Sequence, residues 1–217
     1  MPVSTLSIRT LTELAEDNQL KFLKTTDKKS SLVALVAFVL YVGSIVGANY
    51  MIGHIGKAIP GAHVLPVGFG LYAPSGVYLA SLALVSRDLL QRSAGTLPGV
   101  VAILLGAFIS YFISTPKLAF ASGFTFLVSE TVDFAIFTPL AKRNFAAGVL
   151  VAGLFGEFVD SVLFLTLAQI PLSIALKGQL VGKLWVILLG SLISFLLRKS
   201  SLLSPQPKTQ GIRPTSL

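Results

Sequence analysis

Glu130 and Asp133 stand three residues apart in SETVDFAIF (Ser129 to Phe137), and Glu157 and Asp160 repeat the spacing in GEFVDSVLF (Gly156 to Phe164), 27 residues further on. A separation of three puts both carboxylates of a pair on one face of a helix. Paired carboxylates accept hydrogen bonds from N–H donors, meet an amine or another cation, or hold a proton. Both motifs lie inside apolar runs, so their chemistry depends on the elements that carry them.

Those elements belong in a membrane. Of 217 residues, 53% are hydrophobic and 12% charged, with a mean hydropathy of +0.82; soluble domains carry about 25% charged residues. The length accommodates five to seven spans of about 20 residues and leaves little for a separate soluble domain. The chain has no cysteine, which removes disulfides, thiol nucleophiles and thiolate metal sites. The net charge of +8 would suggest nucleic acid in a soluble protein. Here the basic residues flank apolar segments, where they set orientation and meet anionic headgroups, so no nucleic-acid partner is expected.

The expected fold class is all-α, a polytopic bundle of six transmembrane helices. The spans are read as Ser31–Ile52, Ala73–Leu90, Leu97–Ser114, Leu118–Leu140, Phe145–Ala168 and Leu180–Leu197. GHIGKAIPGAHVLPVGFGLYAPSG, between the first two, is read from its glycines and prolines as a loop or broken helix. The domains follow: 1–30 a polar cytoplasmic segment, 31–197 the membrane domain, and 198–217 a Ser- and Pro-rich disordered tail. With the N-terminus inside, thirteen Lys and Arg fall on the cytoplasmic side and Lys57, Lys117 and Lys177 outside, so both termini are expected to be cytoplasmic.

Counting from the turn at Lys142 and Arg143, Glu130 and Glu157 lie roughly 18 to 21 Å deep, near the middle of a core about 30 Å thick. The fourth and fifth spans are antiparallel, which lets the four carboxylates line one cavity across the midplane. Each costs about 2.5 to 3.5 kcal/mol at the centre of a span unless it faces water, cations or donors. Lys183 is the one basic residue read at comparable depth, and one cation does not neutralise four anions. A polar network that only fixes helix packing is a role one buried pair often plays; four acids and a lysine on three spans favour a functional site. Paired antiparallel motifs at the midplane are where transporters hold substrate.

Adjacent N–H donors or an amine would satisfy the carboxylates, and nearby rings, Trp185 beside Lys183 first among them, could cover a planar ligand. Amino-substituted heterocycles suit such a site better than anions, sugars or a metal. Asp88 and Arg92, spaced i,i+4, are read as an ion pair at the cytoplasmic end of the second span, structural or gating. Gly43 and Gly47 form a GxxxG match on the first span. His54 and His63 lack ligand spacing, so no metal and no cofactor is expected. Neither acidic motif has the form of an intramembrane aspartyl protease, no Ser/His pair stands in the spans, and no catalytic residues are assigned.

Four blocks in order, PVGFGLYAPSGVYLASLALVSRDLLQR, SETVDF, FGEFVDSVLF and GQLVGKLW, resemble the vitamin uptake transporter (VUT) family, whose members are described as queuosine precursor transporters. The resemblance covers roughly Leu32 to Leu197, matching at Asp88, Arg92, Asp133, Asp160 and Lys183. It implies a six-helix inner-membrane importer of 7-deazaguanine bases. At the Glu130 and Glu157 positions the family also carries Gln or Asn, so hydrogen bonding counts there more than charge. The expected contacts are Asp133 and Asp160, supported by Glu130 and Glu157, on the base's N–H edge, with Lys183 on its ring carbonyl. The family is also similar to the substrate-binding components of energy-coupling-factor transporters. On that reading Gly43 and Gly47 dock an ATPase or coupling partner, since the chain has no P-loop; the oligomeric state is left open, with a homo-oligomer the other partner to consider.

Overall fold

In the computed structural model, residues 30–59, 62–116 and 118–198 are described. The two terminal segments and Lys117, assigned above to the cytoplasm and the outer face, lie outside them. Six helices follow one another: α1 (Ser30–His54), α2 (Val77–Ala94), α3 (Thr96–Ile113), α4 (Ala119–Ala141), α5 (Phe145–Leu167) and α6 (Leu172–Arg198). Each overlaps one expected span. Five are long and apolar enough to cross a membrane by length and composition; α2, with Arg87, Asp88 and Arg92 in 18 residues, is the one that is not among them.

Short breaks make sequential helices antiparallel neighbours, and α4 with α5 is the most extensive pairing. Asn144 caps α5 by accepting from the Ala147 N–H at 3.4 Å. At the same end, Ser30 Oγ donates to the Ser93 carbonyl, tying the start of α1 to the end of α2. Residues facing the bundle axis are buried, including Tyr41, Ile45, Ala83, Ala102, Phe137, Val149 and Ile187. Large apolar side chains such as Leu104, Phe108, Leu189 and Leu192 face outward, the arrangement of a bundle whose solvent is lipid tail rather than water.

The segment expected as a loop or broken helix is a three-stranded antiparallel sheet, so the all-α expectation needs this amendment. Strands β1 (Lys57–Ile59), β2 (Ala62–Gly68) and β3 (Leu71–Pro74) are ordered β1-β2-β3, with Lys57 opposite Val64 and Val64 opposite Pro74. Gly and Pro, read as breakers, here shape a hairpin. Gly68, Phe69 and Gly70 all have positive φ at its tip, and the register shifts between Pro66 and Gly68, where a bulge tolerates proline. Val64, Val67 and Ala73 are buried.

The hairpin lies along the first turns of α6. The Tyr72 carbonyl packs where Gly178 has no side chain, and the Val67 carbonyl accepts from Trp185 Nε1 at 3.2 Å. Val77, the first residue of α2, meets Gly182, and Val85 meets Gly190. α2 therefore begins ten residues along α6, about 15 Å from its start, with the sheet lying beside the turns of α6 that come before that point.

Candidate functional site

Both acidic motifs face inward, each with its own cation. On α4, Glu130 Oε2 accepts from Arg87 Nε at 2.7 Å, and Asp133 Oδ1 accepts from Arg87 Nη2. Asp88 Oδ1 lies 2.8 Å from Arg87 Nη1, whose hydrogen bond goes to Gln91 Oε1 at 3.0 Å. Gln91 in turn donates to Thr138 Oγ1 at 2.9 Å. Arg87, Asp88, Glu130 and Asp133 are all at most 1% exposed, with the Phe134 and Phe137 rings 5.8 and 5.7 Å from the guanidinium carbon.

On α5, Glu157 Oε2 lies 2.6 Å from Lys183 Nζ, and Asp160 Oδ2 meets the same ammonium. Ser129, beside Glu130 on α4, donates to Asp160 Oδ1 at 3.3 Å and so joins the two motifs. The close approach of the helices needs Gly156, because a Cβ there would stand 2.8 Å from Asp133 Cβ. The expected single four-carboxylate cavity is thus two ion clusters, side by side across the α4–α5 contact.

One of these carboxylates faces open space. A cavity of about 70 Å3 is lined by Asn49, Ser110, Ser122, Asp160 and Gln179 among its polar residues, and by Ile45, Phe126 and Phe164 among its apolar ones. Asp160 is 18% exposed, against 4% or less for Glu130, Asp133 and Glu157. Gly76 and Val77 also line the cavity, and no side chain caps the start of α2. The cavity therefore has a carboxylate acceptor on one wall and the N–H-bearing, positive end of a helix on another.

Three expectations are corrected. Arg92 does not pair with Asp88: its guanidinium lies over the Phe145 ring at 5.7 Å, and Arg87 takes the carboxylate instead. Trp185 does not join Lys183, because two positions along a helix point to nearly opposite sides; it is 48% exposed and stacks on Phe69 at 6.4 Å. Lys183 is not the lone cation at depth. Arg87, counted as a boundary charge, is the second, and the clue in the sequence was the surplus of acids over bases. A GxxxG docking face is left with Gly43, which meets nothing within 4 Å, since Gly47 is packed against Leu79. Among the described residues no group of His, Asp and Glu is arranged to hold a metal.

A family model described as "Putative vitamin uptake transporter" matches residues 71–197, from β3 to the last turn of α6. No curated protein and no solved structure matches the chain.

Proposed function

The chain belongs to the vitamin uptake transporter family, a multi-pass membrane protein family of uptake transporters, and from that premise we propose that it imports a 7-deazaguanine queuosine precursor, such as 7-cyano-7-deazaguanine, across the inner membrane with both termini cytoplasmic. The observation that carries the reading is Asp160: of the four motif carboxylates it alone lines the cavity. A guanine-like edge offers a ring N–H and an exocyclic NH2 side by side, which one carboxylate accepts as a pair. Phe126 and Phe164 supply ring contacts, and the open N–H groups at the start of α2 suit the ring carbonyl. A helix whose N-terminal N–H groups open onto the substrate cavity is a recurring device of transporters.

In this reading Asp160 is held by Lys183 until substrate competes for it. The ammonium then stays with Glu157, which already lies 2.6 Å away, so no charge is left without a partner. Glu130 and Asp133 act from behind, fixing α4 against α5. The cavity is smaller than the several hundred Å3 usual for a small-molecule site, so a bicyclic base enters as side chains give way. Liposomes containing the purified protein should accumulate labelled 7-cyano-7-deazaguanine, and unlabelled deazaguanine, but not biotin or riboflavin, should compete. Competition by the vitamins and not by deazaguanines overturns the substrate class.

A further inference from the structure

The Arg87 cluster contains three carboxylates and one guanidinium, and its hydrogen bonds do not close. Each nitrogen of Arg87 is hydrogen-bonded to a residue other than Asp88: Nε to Glu130, Nη2 to Asp133 and Nη1 to Gln91. Both oxygens of Asp88, fully buried, are left without a hydrogen-bond donor, and so is Asp133 Oδ2. The carboxyls of Asp88 and Asp133 sit side by side on one guanidinium, Asp88 at its Nη1 and Asp133 at its Nη2. Two bare carboxylates in that position would repel in a place water does not reach. A single proton on Asp88 turns a repulsion into a donated hydrogen bond and gives Asp133 Oδ2 the donor it lacks.

Other occupants fit less well. The guanidinium already fills the centre where a metal would sit, and no metal-holding group exists among the described residues. No second cation comes from the surrounding helices. Lys183 on α6 is taken by Glu157 and Asp160 of α5, and Arg92 is turned to the Phe145 ring. α3 has no Asp, Glu, Lys, Arg or His, and Tyr41 of α1 donates its hydroxyl to the Ala102 carbonyl at 2.7 Å.

We propose that Asp88 and Asp133 form a proton-binding site in which one proton is shared between the two carboxyls, and that this proton is the ion to which uptake is coupled. The site joins the substrate cavity along a short path: Asp133 is pressed against Gly156 on α5, and Asp160 follows four residues later on the same helix. A shift of α5 as Asp160 exchanges Lys183 for substrate therefore changes the spacing around Asp133, and with it the proton's hold. The coupling half rests on the chain being the carrier proposed above; the proton-binding half does not.

Infrared spectroscopy of the purified, substrate-free protein tests the first half. At neutral pH the wild type should show the C=O stretch of a protonated carboxyl, and Asp88→Asn should remove it. Asn keeps the shape and donor of the protonated acid, so the variant should fold, with gel filtration as the check; Asp133→Asn is the second route to the same loss. Absence of the band in the wild type, or its persistence in both variants, overturns the site whatever the protein carries. In liposomes, an acid exterior should raise deazaguanine uptake by the wild type and by Arg92→Gln several-fold, but not by Asp88→Asn. Uptake by the wild type that ignores the gradient overturns the coupling, whereas failure to carry deazaguanine at all strikes the proposed substrate and leaves the infrared result standing.

Discussion

Gly156 opens the second acidic motif at the point where α5 presses on Asp133 of the first: a Cβ at position 156 would stand 2.8 Å from the Asp133 Cβ and 3.3 Å from its Oδ2. The two motifs are therefore in mechanical contact through a residue that has no side chain. Their ion clusters sit on either side of it, joined by the hydrogen bond from Ser129 to Asp160.

Gly156→Ala should destabilise the bundle by about 1 to 3 kcal/mol, the usual range for overpacking a filled interior. Gly43→Ala, a substitution of the same chemistry on a helix face that meets nothing within 4 Å, should leave stability within about 0.5 kcal/mol. Thermal unfolding of both variants in one detergent makes the comparison. Equal losses would mean that the α4–α5 contact is not as tight as the geometry gives it.

Arg87 and Arg92 should separate sharply. Removing the guanidinium of Arg87 leaves Asp88, Glu130 and Asp133 buried without a cation, and breaking buried pairs in this way costs about 3 to 5 kcal/mol; Arg87→Gln should fail to accumulate or unfold far below the wild type. Arg92 is over a ring and only partly buried, so Arg92→Gln should lose about 0.5 to 1 kcal/mol. Expression and unfolding temperature read both. A wild-type Arg87→Gln would remove the cluster from any account of the fold.

That contrast also marks how far the sequence can be read. Hydropathy locates the five apolar helices, because long apolar runs separated by polar breaks have few other solutions, and the i,i+3 acids are visible as inward-facing pairs. Arg87 escapes because positive charge near a span's end reads as topology. Five residues separate it from Arg92, which is about 140° around a helix, and nothing local says which of the two faces the bundle. Ser81, Asp88 and Gln91, all buried, recur at spacings that put them on one stripe, and that polar stripe is the legible sign that α2 turns its charges inward. The sheet is harder, since glycine and proline mark turns and hairpins alike until the α6 surface against which Val67 packs is known.

Lys183→Met should be as damaging as loss of Arg87, for it leaves Glu157 and Asp160 facing each other. Adding Glu157→Gln to the same chain removes one of the two orphaned charges and should restore much of the loss, giving a coupling energy of about 0.5 to 3 kcal/mol in a double-mutant cycle. Additive effects of the two substitutions would show that the 2.6 Å contact between them contributes nothing to stability.

Substrate binding separates the two faces of α6. If the base is held in the cavity, Asp160→Asn replaces one carboxylate oxygen with an NH2 group aimed at the ligand's own donors. Losing a charge-assisted hydrogen bond of about 1.5 to 3 kcal/mol weakens binding roughly 10- to 100-fold. Trp185, two residues from Lys183 in sequence, points away from the cavity and holds the Val67 carbonyl of the hairpin. Trp185→Phe keeps a ring beside Phe69 and drops only that hydrogen bond, so it should lower stability slightly and leave affinity for 7-cyano-7-deazaguanine unchanged. Titration calorimetry of the two purified variants reads the difference directly. The opposite pattern, full affinity in Asp160→Asn and none in Trp185→Phe, would move the substrate to the hairpin side of α6 and leave the Asp160 cavity without a ligand.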